Sequence, residues 1–99
     1  KTAERTFFIK ALRVDLAAQK SRVSDAEVGA ALDKLTEKLR YADPASHDLL
    51  AKVEDQISNT MERLKAEIAN GGDKAQILQL IHLLDLQIDE RNIKCKLLK

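Results

Sequence analysis

His82, Asp85 and Asp89 raise the first chemical question in this sequence, because they are spaced by three and then four residues. On a helix that spacing puts an imidazole and two carboxylates on one face, near enough to approach a single metal ion. The same face lies opposite a run of leucines, where a solvated polar stripe is the ordinary arrangement. A di-iron helical bundle would need a Glu three residues before a His on two helices. Position 44, three before His47, is Pro, and position 79, three before His82, is Gln. We therefore expect no metal and no cofactor.

A second polar group, Asp43, His47 and Asp48, surrounds the single proline, Pro44. Asp followed by Pro has the form of a helix N-cap with proline in the first turn, where its missing N–H costs nothing. Ser46 offers a rival cap. Capping accounts for these residues without catalysis. Cys95, in the stretch KCKLLK, has Lys94 and Lys96 to favour a thiolate and a helix C-terminus to oppose it. It also falls near the apolar line through Leu84 and Ile88, so it reads as a half-buried structural thiol. The chain shows no glycine-rich phosphate loop, no paired zinc ligands and no nucleophile beside a base. The expectation is a protein that is not an enzyme.

The elements that carry these residues are helices. Ninety-nine residues suggest one domain, 1–99, with a modest core. Three aromatics, three glycines and one proline leave too few turns for a sheet, whereas Leu, Ala, Lys, Glu, Asp and Ile are abundant. The spacing predicts an all-α, antiparallel bundle of about four helices, near 3–20, 25–41, 44–70 and 73–97. A long C-terminal hairpin is its foundation, and self-association is one way to complete it.

In that hairpin, Leu50, Val53, Ile57, Met61, Leu64 and Ile68 recur every three or four residues. Asn70-Gly71-Gly72 stops the helix, and Asp73 with Gln76 has capping-box spacing for the next one. The last helix is apolar over much of its girth. Ile77, Ile81, Leu84 and Ile88 make one stripe, widened by Leu78, Leu80, Leu83 and Leu86. One facing helix cannot cover such a surface, so several neighbours or a second chain must do so.

The first half is less regular. Ser24 and Glu27 have capping-box spacing ahead of a four-three-four heptad, Val28, Leu32, Leu35 and Leu39. Extended backward, that register passes through Ala18, Val14, Ala11 and Phe7, while Phe8, Ile9, Leu12 and Leu16 lie off it. Two helices explain this better than one rod. Gly29, beside Ala30 and Ala31, suggests close approach by a neighbouring helix.

Formal charge is +1, but it is unevenly spread. Residues 1–22 carry six bases against Glu4 and Asp15, residues 91–99 carry four bases and no acid, and the middle is acidic. One cysteine fits a reducing compartment. ILQLIHLLDLQI is too short and too often interrupted for the roughly 18–20 residues of a membrane span. No signal-peptide pattern opens the chain, so a cytoplasmic protein is expected.

The functional reading is a protein-protein interaction or oligomerisation module, an adaptor, assembly factor or regulator whose partner is another protein or itself. Its expected interaction face is Leu78, Leu80, Leu83, Leu86 and Ile88, supported by Leu32, Leu35 and Leu39. The alternative is a basic-ended module for nucleic acid or an anionic membrane, using Arg5, Lys10, Arg13, Lys94 and Lys96. It requires the two chain ends to converge.

Overall fold

A computed structural model describes the backbone over 2–42 and 48–98 and the side chains over 7–42 and 48–98. Helix α1 spans Thr2–Arg22 and α2 spans Ala26–Arg40. The chain reverses between them because the two apolar lines differ. Ile9, Leu12 and Leu16 on α1 and Val28, Leu32, Leu35 and Leu39 on α2 all bury, which one straight rod could not achieve.

The cap of α2 is Asp25 rather than the expected Ser24. Its backbone is extended, and Oδ1 accepts hydrogen bonds from the backbone N–H groups of Glu27 (2.8 Å) and Val28 (3.1 Å). A carboxylate at this position satisfies two orphan donors and complements the helix start better than a hydroxyl one residue earlier. Gly29 is a second correction. A Cβ built there meets no atom within 4 Å, so no helix approaches closely at this residue.

A 3₁₀ turn, Asp48–Leu50, leads into α3, Ala51–Ala69. The start expected at Asp43-Pro44, like Ser46 and His47, lies outside the described residues. Here Leu50 precedes the helix as a fully buried apolar residue, with no side-chain cap. The end of α3 follows the expected logic in full. Gly71 takes φ +66°, its N–H donates to Ile68 O (3.2 Å), and Gly72 N–H donates to Glu67 O (2.7 Å). These are the paired bonds of a Schellman cap, in which only Gly or Asn adopts the left-handed residue cheaply.

Helix α4 spans Lys74–Leu97. Asp73 has the extended backbone of an N-cap, but its side chain makes no cap hydrogen bond, so the capping box expected with Gln76 is not formed. Lys74 is drawn instead to α2, where its Nζ lies 2.9 Å from Glu27 and 3.3 Å from Asp25.

The described residues thus form an all-α bundle of four α-helices built from two hairpins, α1/α2 and α3/α4. Each hairpin is antiparallel. Between hairpins, α1 abuts α3 and α2 abuts α4, so that α1 and α4 occupy one diagonal and α2 and α3 the other. The abutting pairs run parallel. Asp25 and Glu27 pair with Lys74, and further along α2 Lys38 pairs with Asp85 and Asp89, both steps advancing in the same direction. The bundle measures 39 × 21 × 20 Å.

One core serves all four helices. Leu16, Leu32, Leu35, Leu39, Leu50, Ile57, Leu64, Leu84 and Ile88 are fully enclosed, with Cys95 at the edge of the same cluster. The largest enclosed side chain is charged. Arg91 of α4 is 0 % exposed, donates from Nε to Glu54 Oε2 on α3 at 2.9 Å, and lies over the Phe8 ring of α1, 5.8 Å from its centroid. Burying an ion pair is costly unless its geometry is good, and here the guanidinium has both a carboxylate and a π-face. Arg91 therefore joins three helices at the end where α1 begins and α4 finishes.

Candidate interaction faces on the outer helices

Helix α4 is apolar on two opposite faces. Ile77, Ile81, Leu84, Ile88, Arg91 and Cys95 turn inward. On the outer face Leu83 is 38 %, Leu86 52 %, Ile93 60 % and Leu97 80 % exposed. With Glu90 among them, positions 83, 86, 90, 93 and 97 alternate steps of three and four, the spacing that keeps one seam turned toward a partner helix. The seam from Leu83 to Leu97 runs about 21 Å at 1.5 Å per residue.

The interaction residues expected from sequence therefore divide. Leu83 and Leu86 lie on the outer face. Leu78 and Leu80 are half-buried against the core. Leu78 borders a shallow groove of about 180 Å³ between α2 and α4, with Ala31, Leu35, Ile81, His82 and Asp85. Ile88, Leu32, Leu35 and Leu39 are corrected. Each is at most 2 % exposed, so they fill the chain's own core and present nothing to a partner. Four inward heptad positions on α2 found their cover within the same molecule. Ile93 and Leu97 take their place on the outer face. The signal for them was present in the sequence as the outward heptad beginning at Leu83.

Helix α1 has a similar double character. Ile9, Leu12, Leu16 and Gln19 are buried, while Phe7 (65 % exposed) and Val14 (68 %) face outward with Ala18. These are positions of the heptad line extrapolated back from α2, which α1 turns away from the core. By contrast α2 exposes Glu27, Asp33, Lys34, Glu37 and Arg40, and α3 exposes Lys52, Asp55, Asn59, Glu62 and Arg63. Apolar outer faces thus sit on one diagonal of the bundle and polar ones on the other.

The basic side chains Lys10, Arg13, Lys94 and Lys96 are all exposed, and the side chain of Arg5 lies outside the described set. The contact between Arg91 and Phe8 brings the start of α1 and the finish of α4 to the same end of the bundle. Their residues stand on diagonal corners there, and Lys94 is engaged by Glu90 at 3.0 Å. The two basic sets thus share one end of the bundle but stand on opposite corners of it.

His82, Asp85 and Asp89 do share one side of α4, but a cation of the chain already occupies it. Lys38 of α2 hydrogen-bonds Asp85 and, at 2.7 Å, Asp89. Burial alone would lower the Lys38 pKa; the hydrogen bonds to Asp85 and Asp89 outweigh it, and the net direction is upward from 10.5. Among the described residues no group of three His, Cys, Asp or Glu side chains is placed to hold a metal ion. Likewise, among those residues, no helix is long and apolar enough to cross a membrane.

No family model matches this sequence, and neither a curated protein nor a solved structure shows significant similarity to it.

Proposed function

We propose that this protein is a non-enzymatic helical module for association with other protein helices, and that the outer face of α4 is its docking surface. The observation that supports this reading is the exposed seam of Leu83, Leu86, Ile93 and Leu97 on a helix whose opposite face already fills the core. Large apolar side chains scattered singly on a surface are ordinary, but four in one register along a helix, two on each side of Glu90, are a spacing that favours an interface. Heptad spacing selects a helical partner over a flat or irregular one.

The test replaces Leu86, Ile93 and Leu97 together by Gln. These side chains leave the core untouched, so we expect an unchanged helical signal and melting curve with loss of association. Association unaltered by the triple replacement would refute the reading.

The convergence of the two basic ends supports a second reading, a module for an anionic surface such as nucleic acid or acidic lipid. It requires binding that falls steeply with salt and that is lost when Lys10, Arg13, Lys94 and Lys96 become Gln. Binding that persists in the fourfold variant would remove those residues as the contact.

A further inference from the structure

We infer that the partner on the outer face of α4 is a second copy of this chain, lying antiparallel along the seam. This rests on the association reading above and adds the identity and direction of the partner. The argument comes from charge and register. In an antiparallel pair of heptad helices, a first-type seam position of one chain meets a second-type position of the other. Leu83, Glu90 and Leu97 are of one type on α4, and Leu86 and Ile93 are of the other. A two-fold axis between residues 91 and 92 satisfies that rule along the whole overlap. Leu86 then meets the second copy's Leu97, and Glu90 meets its Ile93.

The flanks agree in that one register. On one side of the seam, Asp89 of each chain, already held by Lys38 of its own α2 at 2.7 Å, stands opposite Lys96 of the other. On the other side Glu90, already held by Lys94 of its own helix at 3.0 Å, comes beside Lys94 of the second copy. The acidic stretch 85–90 and the basic stretch 94–96 thus face each other twice. A parallel pair in register would also bring Asp89 to the second copy's Lys94 on each flank, but it would set Glu90 directly against Glu90 in the seam, a like-charge contact that disfavours the pairing. Glu90 in the seam also favours that direction, since only the antiparallel arrangement brings a cation of the second copy beside it in addition to its own Lys94. The two-fold relation uses the same patch on both chains and closes at two copies.

The overlap is short, about 18 Å of helix, so the dimer should form reversibly with concentration. Sedimentation of the intact chain from micromolar to millimolar concentration is expected to show the mass doubling, and a single monomer mass throughout would overturn the inference. Lys96→Glu should weaken the dimer about tenfold at low salt, with the helical signal kept and only a slight fall in melting temperature from the reversed charge at the helix end; an unaltered dissociation constant would exclude the register. In a Cys95→Ser background, Leu86→Cys and Leu97→Cys chains should form a disulfide when mixed, and neither alone. Self-linking by each variant alone would establish a parallel pair and overturn the proposal.

A photo-crosslinking side chain at residue 86, used in cells, separates this inference from the broader reading. An adduct of twice the chain mass supports the second copy. An adduct with a different protein overturns it and leaves the association reading standing, whereas no adduct overturns both.

Discussion

Arg91 shows how one side chain can organise a bundle end while reading as surface in the sequence. It lies in a basic tail, yet it is enclosed, paired with Glu54 and roofed by Phe8. Removing a partner from a buried charge costs more than removing both members. We therefore expect Glu54→Ala to destabilise the fold by about 3 kcal/mol in urea titration, and the double change Glu54→Met with Arg91→Met to recover most of that loss. A double variant as unstable as the single one would contradict this account. Lys38 gives a pH signature at the same scale. Its folded pKa lies above the unfolded value of 10.5, so its contribution is full below 10.5 and is lost as pH rises through the folded value. Wild type should thus lose stability in alkali more steeply than Lys38→Met, as read from melting curves between neutral and strongly alkaline pH. Gln19 is a simpler case. It is 4 % exposed, and its Oε1 has no hydrogen-bond partner among the described residues. Gln19→Leu should raise stability by about 1 kcal/mol by removing an unsatisfied acceptor.

At the scale of elements, much of the fold was legible because helix boundaries and apolar periodicity are local properties. The Asn70-Gly71-Gly72 stop, the apolar lines of α2 and α3, and the break between α1 and α2 could all be read residue by residue. The misses share one cause, which is that they depend on neighbours distant in sequence. Ser24 and Asp25 are equally good caps on paper, and the choice of Asp25 goes with Lys74 approaching it from α4. Gly29 looked like a contact point, but the groove beside it is open. Gly29→Ala should therefore stabilise α2 by about 1 kcal/mol, whereas Gly71→Ala should cost a similar amount because its φ is positive. Opposite shifts in the melting temperature of these two variants are the check. Arg91 escaped notice for the same reason, since nothing in its immediate sequence reveals Glu54 or Phe8.

For the whole molecule, breadth of apolar surface could be read from the last helix, but not which part of it the chain would cover. Four of the eight expected interface leucines and isoleucines are enclosed by the fold and two are half-buried, while the exposed pair, Leu83 and Leu86, is continued by Ile93 and Leu97. This separation makes the surface accessible to experiment. The Gln triple at 86, 93 and 97 should melt within about 0.5 kcal/mol of wild type, while Leu84→Ala, one helical step away, should cost on the order of 3 kcal/mol. Comparable losses in both would mean that the outer face also supports the fold.

The parallel neighbours have an electrical consequence. Because α2 and α4 finish side by side, two negative helix poles lie together at one end, and a ring of strictly alternating helices would have kept them apart. Lys38, Arg40, Lys94 and Lys96 cluster in the final turns of those two helices. They act there as built-in counter-ions, so part of the basic charge at the chain's end is committed to the fold itself. Added salt should accordingly loosen the isolated bundle slightly, even with no charged ligand in solution.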